Sequence, residues 1–250
     1  MQTTYTTCAV ARLTGVHPNT VRLYEALGLI SAPARKPNGY RVFTPLHVAQ
    51  MRLARAALRV PVLQGGLRKL AIRIIHAAAA CDTGAACVLI TRYEATLACE
   101  RQNALEAARI VRDMLAASQP QVPQTPHRRS ETAALLGLSI DQLRGWEMNG
   151  LLTVRRHMNG YRVYSDADVR RLRVIRALRC ANYSLSAILR LLGTLAHNPA
   201  ADPGRVLDTP APHEDVVTVC DRLVTSLEQA KACAQEMRQQ LAEIEHCKKH

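Results

Sequence analysis

Long apolar runs are missing from this sequence. No stretch of its 250 residues approaches the roughly 18 to 20 that a bilayer crossing needs, so no membrane span and no membrane partner are expected. Residues 1–15 lack the charged-then-apolar pattern of a secretory leader, which points to a cytoplasmic protein. Eight cysteines, without a leader and at spacings that do not match between the halves of the chain, are then expected to be reduced thiols. Also missing are a Ser/His/Asp set with a nucleophile turn, a phosphate-cradling glycine loop and a dense carboxylate cluster. An enzyme is therefore not expected, and no cofactor is required. Acid is scarcest near the start: residues 1–75 hold one, Glu25, against 11 Lys and Arg.

What is present is a folded composition, 48% hydrophobic and 21% charged, with length for two ordinary domains. The formal net charge is +13, and residues 126–195 repeat the basic bias with 12 Lys and Arg against five acids. The excess belongs to two segments and the remainder is acidic. A basic excess confined in this way is the electrostatic footprint of a polyanion binder.

Those two segments are copies. Gly15-Val16, Arg22, Tyr24-Glu25, Gly28-Leu29-Ile30 and Gly39-Tyr40-Arg41-Val42 return about 122 residues later as Gly137-Leu138, Arg144, Trp146-Glu147, Gly150-Leu151-Leu152 and Gly160-Tyr161-Arg162-Val163. A repeat of this length makes each half a folding unit. Each copy reads as a helical head followed by a long helix. Thr6 or Thr7 caps a first helix through Arg12, Thr14-Gly15-Val16 turns, and His17-Pro18 opens a second helix to Ala26. In the second copy Gly137-Leu138 turns, and Ser139 with Gln142 has capping-box spacing ahead of a helix from Ile140 to Met148.

Two helices across a short glycine turn make a helix-turn-helix. A basic loop ending in Asn38-Gly39, or Asn159-Gly160, then signals a hairpin wing whose two central residues take positive φ. Thr44-Pro45 and Ser165-Asp166 cap a third, arginine-rich helix. The expected organisation is a mostly α protein: head 1 over residues 1–75, connector and long helix over 76–118, Pro-rich linker over 119–126, head 2 over 127–195, linker loop over 196–213 and a second long helix over 214–250.

The motif Thr20-Val21-Arg22-Leu23-Tyr24-Glu25 with Gly28-Leu29-Ile30 and Gly39-Tyr40-Arg41, echoed in the second copy, resembles the winged helix-turn-helix head of MerR-type bacterial transcription regulators. Copy two adds Tyr183-Ser184-Leu185-Ser186-Ala187-Ile188, similar to the segment that opens the family's fourth helix. Together the two resemblances cover roughly 140 residues. Copy one departs at Leu23, where an aromatic is usual, and at Arg59-Val60-Pro61-Val62-Leu63, which lacks the Ser-Leu start. Copy two departs at Gly145 and at the acidic Asp141.

The resemblance implies that the second helix of each head enters the major groove of double-stranded DNA. Base-reading candidates are Asn19, Thr20 and Arg22 in head 1, and Asp141, Gln142 and Arg144 in head 2. Arginine suits guanine, whereas aspartate only accepts, as from cytosine, so the half-sites are expected to differ. Arg35, Lys36, Tyr40 and Arg41, with Arg155, Arg156, Tyr161 and Arg162, are expected to hold the backbone from the wings. Tyr24 and Trp146 fit either core packing or a phosphate contact, and Glu25 and Glu147 a structural role. Some of the third-helix arginines fit solvated surface as well as DNA.

Apolar positions at alternating steps of four and three form a coiled-coil seam from Val216 and Cys220 through Leu223, Leu227, Ala230, Ala234, Met237, Leu241 and Ile244. A weaker seam selects Cys87, Ile90, Glu94, Leu97, Arg101, Ala104, Ala108, Val111 and Leu115. Run antiparallel, the two place Glu94 by Met237 and Ile90 by Leu241. Dimers of the resembled family are held by such a pair, one helix per subunit. Here an internal pair, a monomeric pseudo-dimer, is favoured over a homodimer.

The same antiparallel arrangement brings Cys81 and Cys87 toward Cys247, a candidate site for a soft or borderline metal ion, set against cysteines that merely fill space. Any drug-sized effector is expected between a head and the long helices. By resemblance the function is promoter DNA binding, with distortion of the duplex and RNA polymerase as partner. The alternative is an architectural or recombination protein, excisionase-like, that bends DNA.

Overall fold

The computed structural model describes residues 3–59, 66–116, 126–154, 161–210 and 219–249. In chain order the elements are α1 (Thr7–Thr14), α2 (Pro18–Ala26), β1 (Ala34–Arg35), β2 (Arg41–Val42), α3 (Pro45–Arg59), α4 (Leu67–Ala79), α5 (Thr83–Ala116), β3 (His127–Arg128), α6 (Arg129–Leu136), α7 (Ile140–Met148), β4 (Val163–Tyr164), α8 (Asp166–Cys180), α9 (Leu185–His197), α10 (Pro203–Asp208) and α11 (Leu223–Lys249). The mostly α fold expected is the fold found. The chain divides into two compact units, one of residues 1–99 with 226–250 and one of residues 100–225. No helix among the described residues is long and apolar enough to cross a membrane.

In the first unit the Thr6 hydroxyl accepts the Ala9 N–H at 3.3 Å and starts α1. Gly15, at φ +63°, ends it, and the Val16 N–H returns to the Ala11 carbonyl at 2.9 Å. Pro18 then begins α2 behind His17, whose ring nitrogen accepts the Asn19 N–H at 3.2 Å. Val10, Ala11, Val21, Ile30, Phe43, Val48 and Met51 form the head's core, with Tyr5, Val16 and Tyr24 packed at its edge.

The wing turn differs from the expected one. Gly39 alone takes positive φ; the Gly39 N–H bonds the Lys36 carbonyl at 2.8 Å, and the Lys36 N–H bonds the Tyr40 carbonyl at 2.9 Å. Pro37 is locked at negative φ, so the loop becomes a four-residue turn followed by a glycine bulge instead of a two-residue turn on Asn38-Gly39. A bridge between Tyr5 and Phe43 ties the start of the chain to the wing.

After the head, α4 runs through residue 75, where the head was expected to end, and Gln50 holds it. The Gln50 amide donates to the Ala78 carbonyl at 3.0 Å, while its oxygen accepts the N–H and hydroxyl of Ser31 at 2.9 and 2.8 Å. Cys81, at φ +56°, makes the corner into α5.

The second unit repeats the head with stronger local signals. Ser139 and Gln142 close the capping box on α7 as expected, and Ser165 with Asp168 does the same on α8. Here β3 pairs antiparallel with β4, His127 opposite Tyr164, as Tyr5 opposes Phe43 in the first unit. Asn159-Gly160 lies outside the described residues.

Residues 196–213 are more than a linker loop. They contain α10, capped by Asp202, and the Arg190 guanidinium donates to the Val206 and Leu207 carbonyls at 2.9 and 3.1 Å. The final long helix starts at Leu223 instead of 214. The Asp208 carboxylate accepts the N–H groups of Val224 and Thr225 at 2.9 and 3.2 Å, satisfying donors that a longer helix would have bonded internally. Val216 lies outside the described residues, and Cys220 is only half-buried.

From Leu223 to Ile244 the α11 seam is buried at each of its expected positions. The α5 seam is off by one at alternate steps. Ala86, Tyr93 and Ala107 are buried beside the expected Ile90, Leu97, Ala104, Ala108 and Val111, whereas Cys87 and Arg101 are exposed and Glu94 lies at the edge. Within the first unit Arg238 reaches Glu94 at 2.6 Å and Thr91 at 3.2 Å, and Lys248 reaches the Cys81 carbonyl at 3.2 Å. Later residues of α11 thus meet earlier residues of α5, the expected antiparallel sense.

Candidate nucleic-acid interface

In both heads the second helix presents its start to solvent. Asn19 and Arg22 are exposed on α2, with the Arg22 guanidinium donating to the Asn19 side-chain oxygen at 2.9 Å; Thr20 is half-buried. On α7, Asp141, Gln142 and Arg144 are exposed. Arg144 has no hydrogen-bond or ion-pair partner among the described residues. Gln142 is less available, because its side-chain oxygen accepts the Ser139 N–H at 2.9 Å and only its amide nitrogen is left for a ligand. Asp141 stands in the first turn, where a carboxylate also favours the helix dipole.

The far end of each helix is fixed by its glutamate. Glu25, with its side chain 14% exposed, is hydrogen-bonded by Arg41 and lies 3.7 Å from Arg35. Glu147 is 6% exposed and takes three donors: Arg129 at 2.7 Å, Arg162 at 3.0 Å, and the Tyr164 hydroxyl. Burial, then the neighbouring carboxylate, push the Tyr164 phenol up to about 12, so it stays a donor. Arg41 and Arg162 therefore brace the wing against the second helix, and because each glutamate is shared by two arginines only part of their charge is compensated. Both glutamates have the structural part that their sequence context suggested.

Elsewhere in the wings, Arg35, Lys36 and Tyr40 are exposed, as is Tyr161. Arg155 and Arg156 lie outside the described residues. Tyr24 packs on the core, one of the two roles left open for it, while its edge lines a cleft, and Trp146 is half-buried.

Two of the third-helix arginines, expected as solvated surface or as DNA contacts, hold matched places in the two heads. The guanidinium of Arg55 lies over the turn glycine, 3.4 Å from where a side chain on Gly15 would begin, and Arg176 lies 3.6 Å from the same point on Gly137. Aligning the third helices of the two copies would have exposed the pair. Arg129 had no such signal, since Thr7 stands in its place in head 1.

The three candidate metal ligands do not assemble. No cluster of three Cys, His, Asp or Glu able to hold an ion exists among the described residues. Arg238 points at the Cys87 sulfur at 3.8 Å and Lys248 binds the Cys81 carbonyl, so cations occupy the neighbourhood a metal would need. Burial, then the nearby Glu243, raise the Cys247 thiol and disfavour its thiolate.

Comparison with known proteins follows the duplication. Residues 128–195 match the family described as MerR HTH family regulatory protein, and residues 6–43 match MerR family regulatory protein. A probable heavy metal-dependent transcriptional regulator of Haemophilus influenzae is 44% identical over 71 residues, 28% of this chain and 55% of the relative. The HTH-type transcriptional regulator CueR of Escherichia coli is 41% identical over 51 residues, 20% of this chain and 38% of the relative. CueR of Yersinia pestis is 39% identical over the same length. The chain spans about half or less of these relatives. No solved structure matches it. This chain carries two MerR-type winged helix-turn-helix heads in tandem, and its relatives are regulators by name.

Proposed function

We propose that the protein is a sequence-specific DNA-binding transcription regulator whose two heads read two unlike half-sites within one promoter. The observation that carries this reading is the repeated pairing of an exposed arginine on a recognition helix, Arg22 or Arg144, with a wing locked to that helix through Glu25 or Glu147. Arginine at that place grips guanine through two parallel hydrogen bonds. The neighbours differ, Asn19 and Thr20 against Asp141 and Gln142, and so should the bases. Lys36 and Arg35 add charge that binds backbone of any sequence.

The head-bearing regulators that this chain resembles work as dimers. Here the duplication supplies the second head, and the antiparallel contact of Arg238 with Glu94 and Thr91 supports an internal helix pair in place of one shared between two chains. Distortion of the promoter, with RNA polymerase as the protein that benefits, follows from the same resemblance. The energy for bending comes from the larger protein surface that a bent duplex can touch.

Selection of bound sequences from a random pool of double-stranded DNA tests the reading. A two-part site with unlike halves is expected. Enrichment of a perfect palindrome, or no enrichment, would contradict it.

A further inference from the structure

A solvent-open cleft of about 410 Å³ lies in the first unit between the end of α2, the outer face of α3 and the middle of α11. Its charge is one-sided. Arg52, Arg55 and Arg59 line it from one face of α3, against the single carboxylate of Glu236, and Tyr24, Gln239 and Gln240 complete the walls. Arg55 has neither a hydrogen bond nor an ion pair among the described residues. The side-chain oxygen of Gln240 is buried with no hydrogen-bond partner, an arrangement that costs stability unless a donor arrives. Arg59 is bonded to Glu236, yet the two side chains are 58% and 50% exposed, so water screens the pair and a competing anion can take the place of the carboxylate.

We propose that this cleft binds a small oxyanion, a phosphate or carboxylate group, held by the Arg52, Arg55 and Arg59 guanidiniums. Guanidinium matches such groups through parallel N–H donors. The Tyr24 phenol is held above its ordinary value by burial, against the pull of Arg55 and Arg68, and so keeps an O–H to donate. Because an anion on Arg59 releases Glu236, occupancy would change how α11 is tied to α3, and Tyr24 sits on the recognition helix itself. The anion has two sources: free in solution, or the backbone of bound DNA.

Titration of the full chain with inorganic phosphate, followed by phosphorus NMR at constant ionic strength, tests the site. Saturable binding is expected, weakened at least tenfold in Arg55→Gln and unchanged in Arg73→Gln, an exposed arginine of α4 outside the cleft. Glu236→Gln, which frees Arg59, should tighten phosphate severalfold. Repeating the titration with duplex bound separates the sources. Retained affinity assigns the cleft to a free anion, and competition assigns it to the DNA backbone. No saturation, or equal binding by Arg55→Gln with its helix content intact, would overturn the proposal. None of these readouts depends on which bases the heads prefer, so this inference and the functional reading fail separately.

Discussion

The two heads share a skeleton and differ in how tightly it is tied. Gly15 and Gly137 make the same turn at φ +63° and +58°, and Val21 and Leu143 are both fully buried under the recognition helix. The glutamate that closes each helix is then held differently. Phe43 in head 1 has no hydroxyl, whereas Tyr164 at the same place in head 2 reaches Glu147, and Arg129 adds a further donor where head 1 has Thr7. The third helices contrast in the same way. His47 Nδ1 accepts the Thr44 N–H at 3.0 Å in head 1, and Asp168 does that work for Ser165 at 2.9 Å in head 2. Duplication has kept what positions the second helix and varied what anchors it.

The largest effect should come from Glu147→Gln. Two arginines and a tyrosine lose the negative charge and one of the two oxygens that accept from them in a nearly buried site, and head 2 should lose about 2–3 kcal/mol. Glu25→Gln, more exposed and with fewer partners, should cost head 1 about 1 kcal/mol. Hydrogen exchange resolved by peptide measures both in the intact chain; equal losses would erase the contrast drawn here.

On DNA, Arg22→Ala and Arg144→Ala should each relax one half-site and spare the other, with about 1–3 kcal/mol lost against the preferred base. Binding to single-substituted duplexes reads this directly. If both variants weakened the same half-site, the assignment of one head to each half would be wrong.

A smaller effect follows pH. Burial holds the His47 imidazole below its ordinary value, with the Ala32 carbonyl and Glu25 pulling the other way. A depressed histidine contributes stability above its unfolded value near 6.5 that is lost as pH falls through the folded one. Protonation also removes the acceptor that caps α3. Intrinsic exchange itself slows as pH falls, so the readout is protection relative to it: in the first turn of α3 protection should drop between pH 7 and pH 5, by a stability change of about 1 kcal/mol. The first turn of α7, capped by Ser139 and Gln142, should serve as the internal reference. Smallest of all, Lys36→Ala should weaken every sequence alike and flatten the salt dependence by about one ion.

Much of this was legible because it is local. His17-Pro18, Ser139 with Gln142 and Ser165-Asp166 mark helix starts through bonds spanning three residues, and each start fell where its residues placed it. Long-range partners were not. The pairing of Tyr5 with Phe43 and the reach of Arg129 to Glu147 depend on segments that meet only in the fold. The α5 seam illustrates a second limit. Steps of four-three and three-four share Ile90, Leu97, Ala104 and Val111, and only the packed surroundings choose Tyr93 over Glu94. The candidates on the second helices lie, as a set, near the helix starts, and the competing duty of Gln142 as a cap was legible too: the cap holds its oxygen.

Light scattering with multi-angle detection on the DNA-bound species tests the central claim most directly. One chain of 27.6 kDa per duplex carrying the complete two-part site is the predicted result. Two chains on that duplex, with the single chain unable to bind it, would contradict the account.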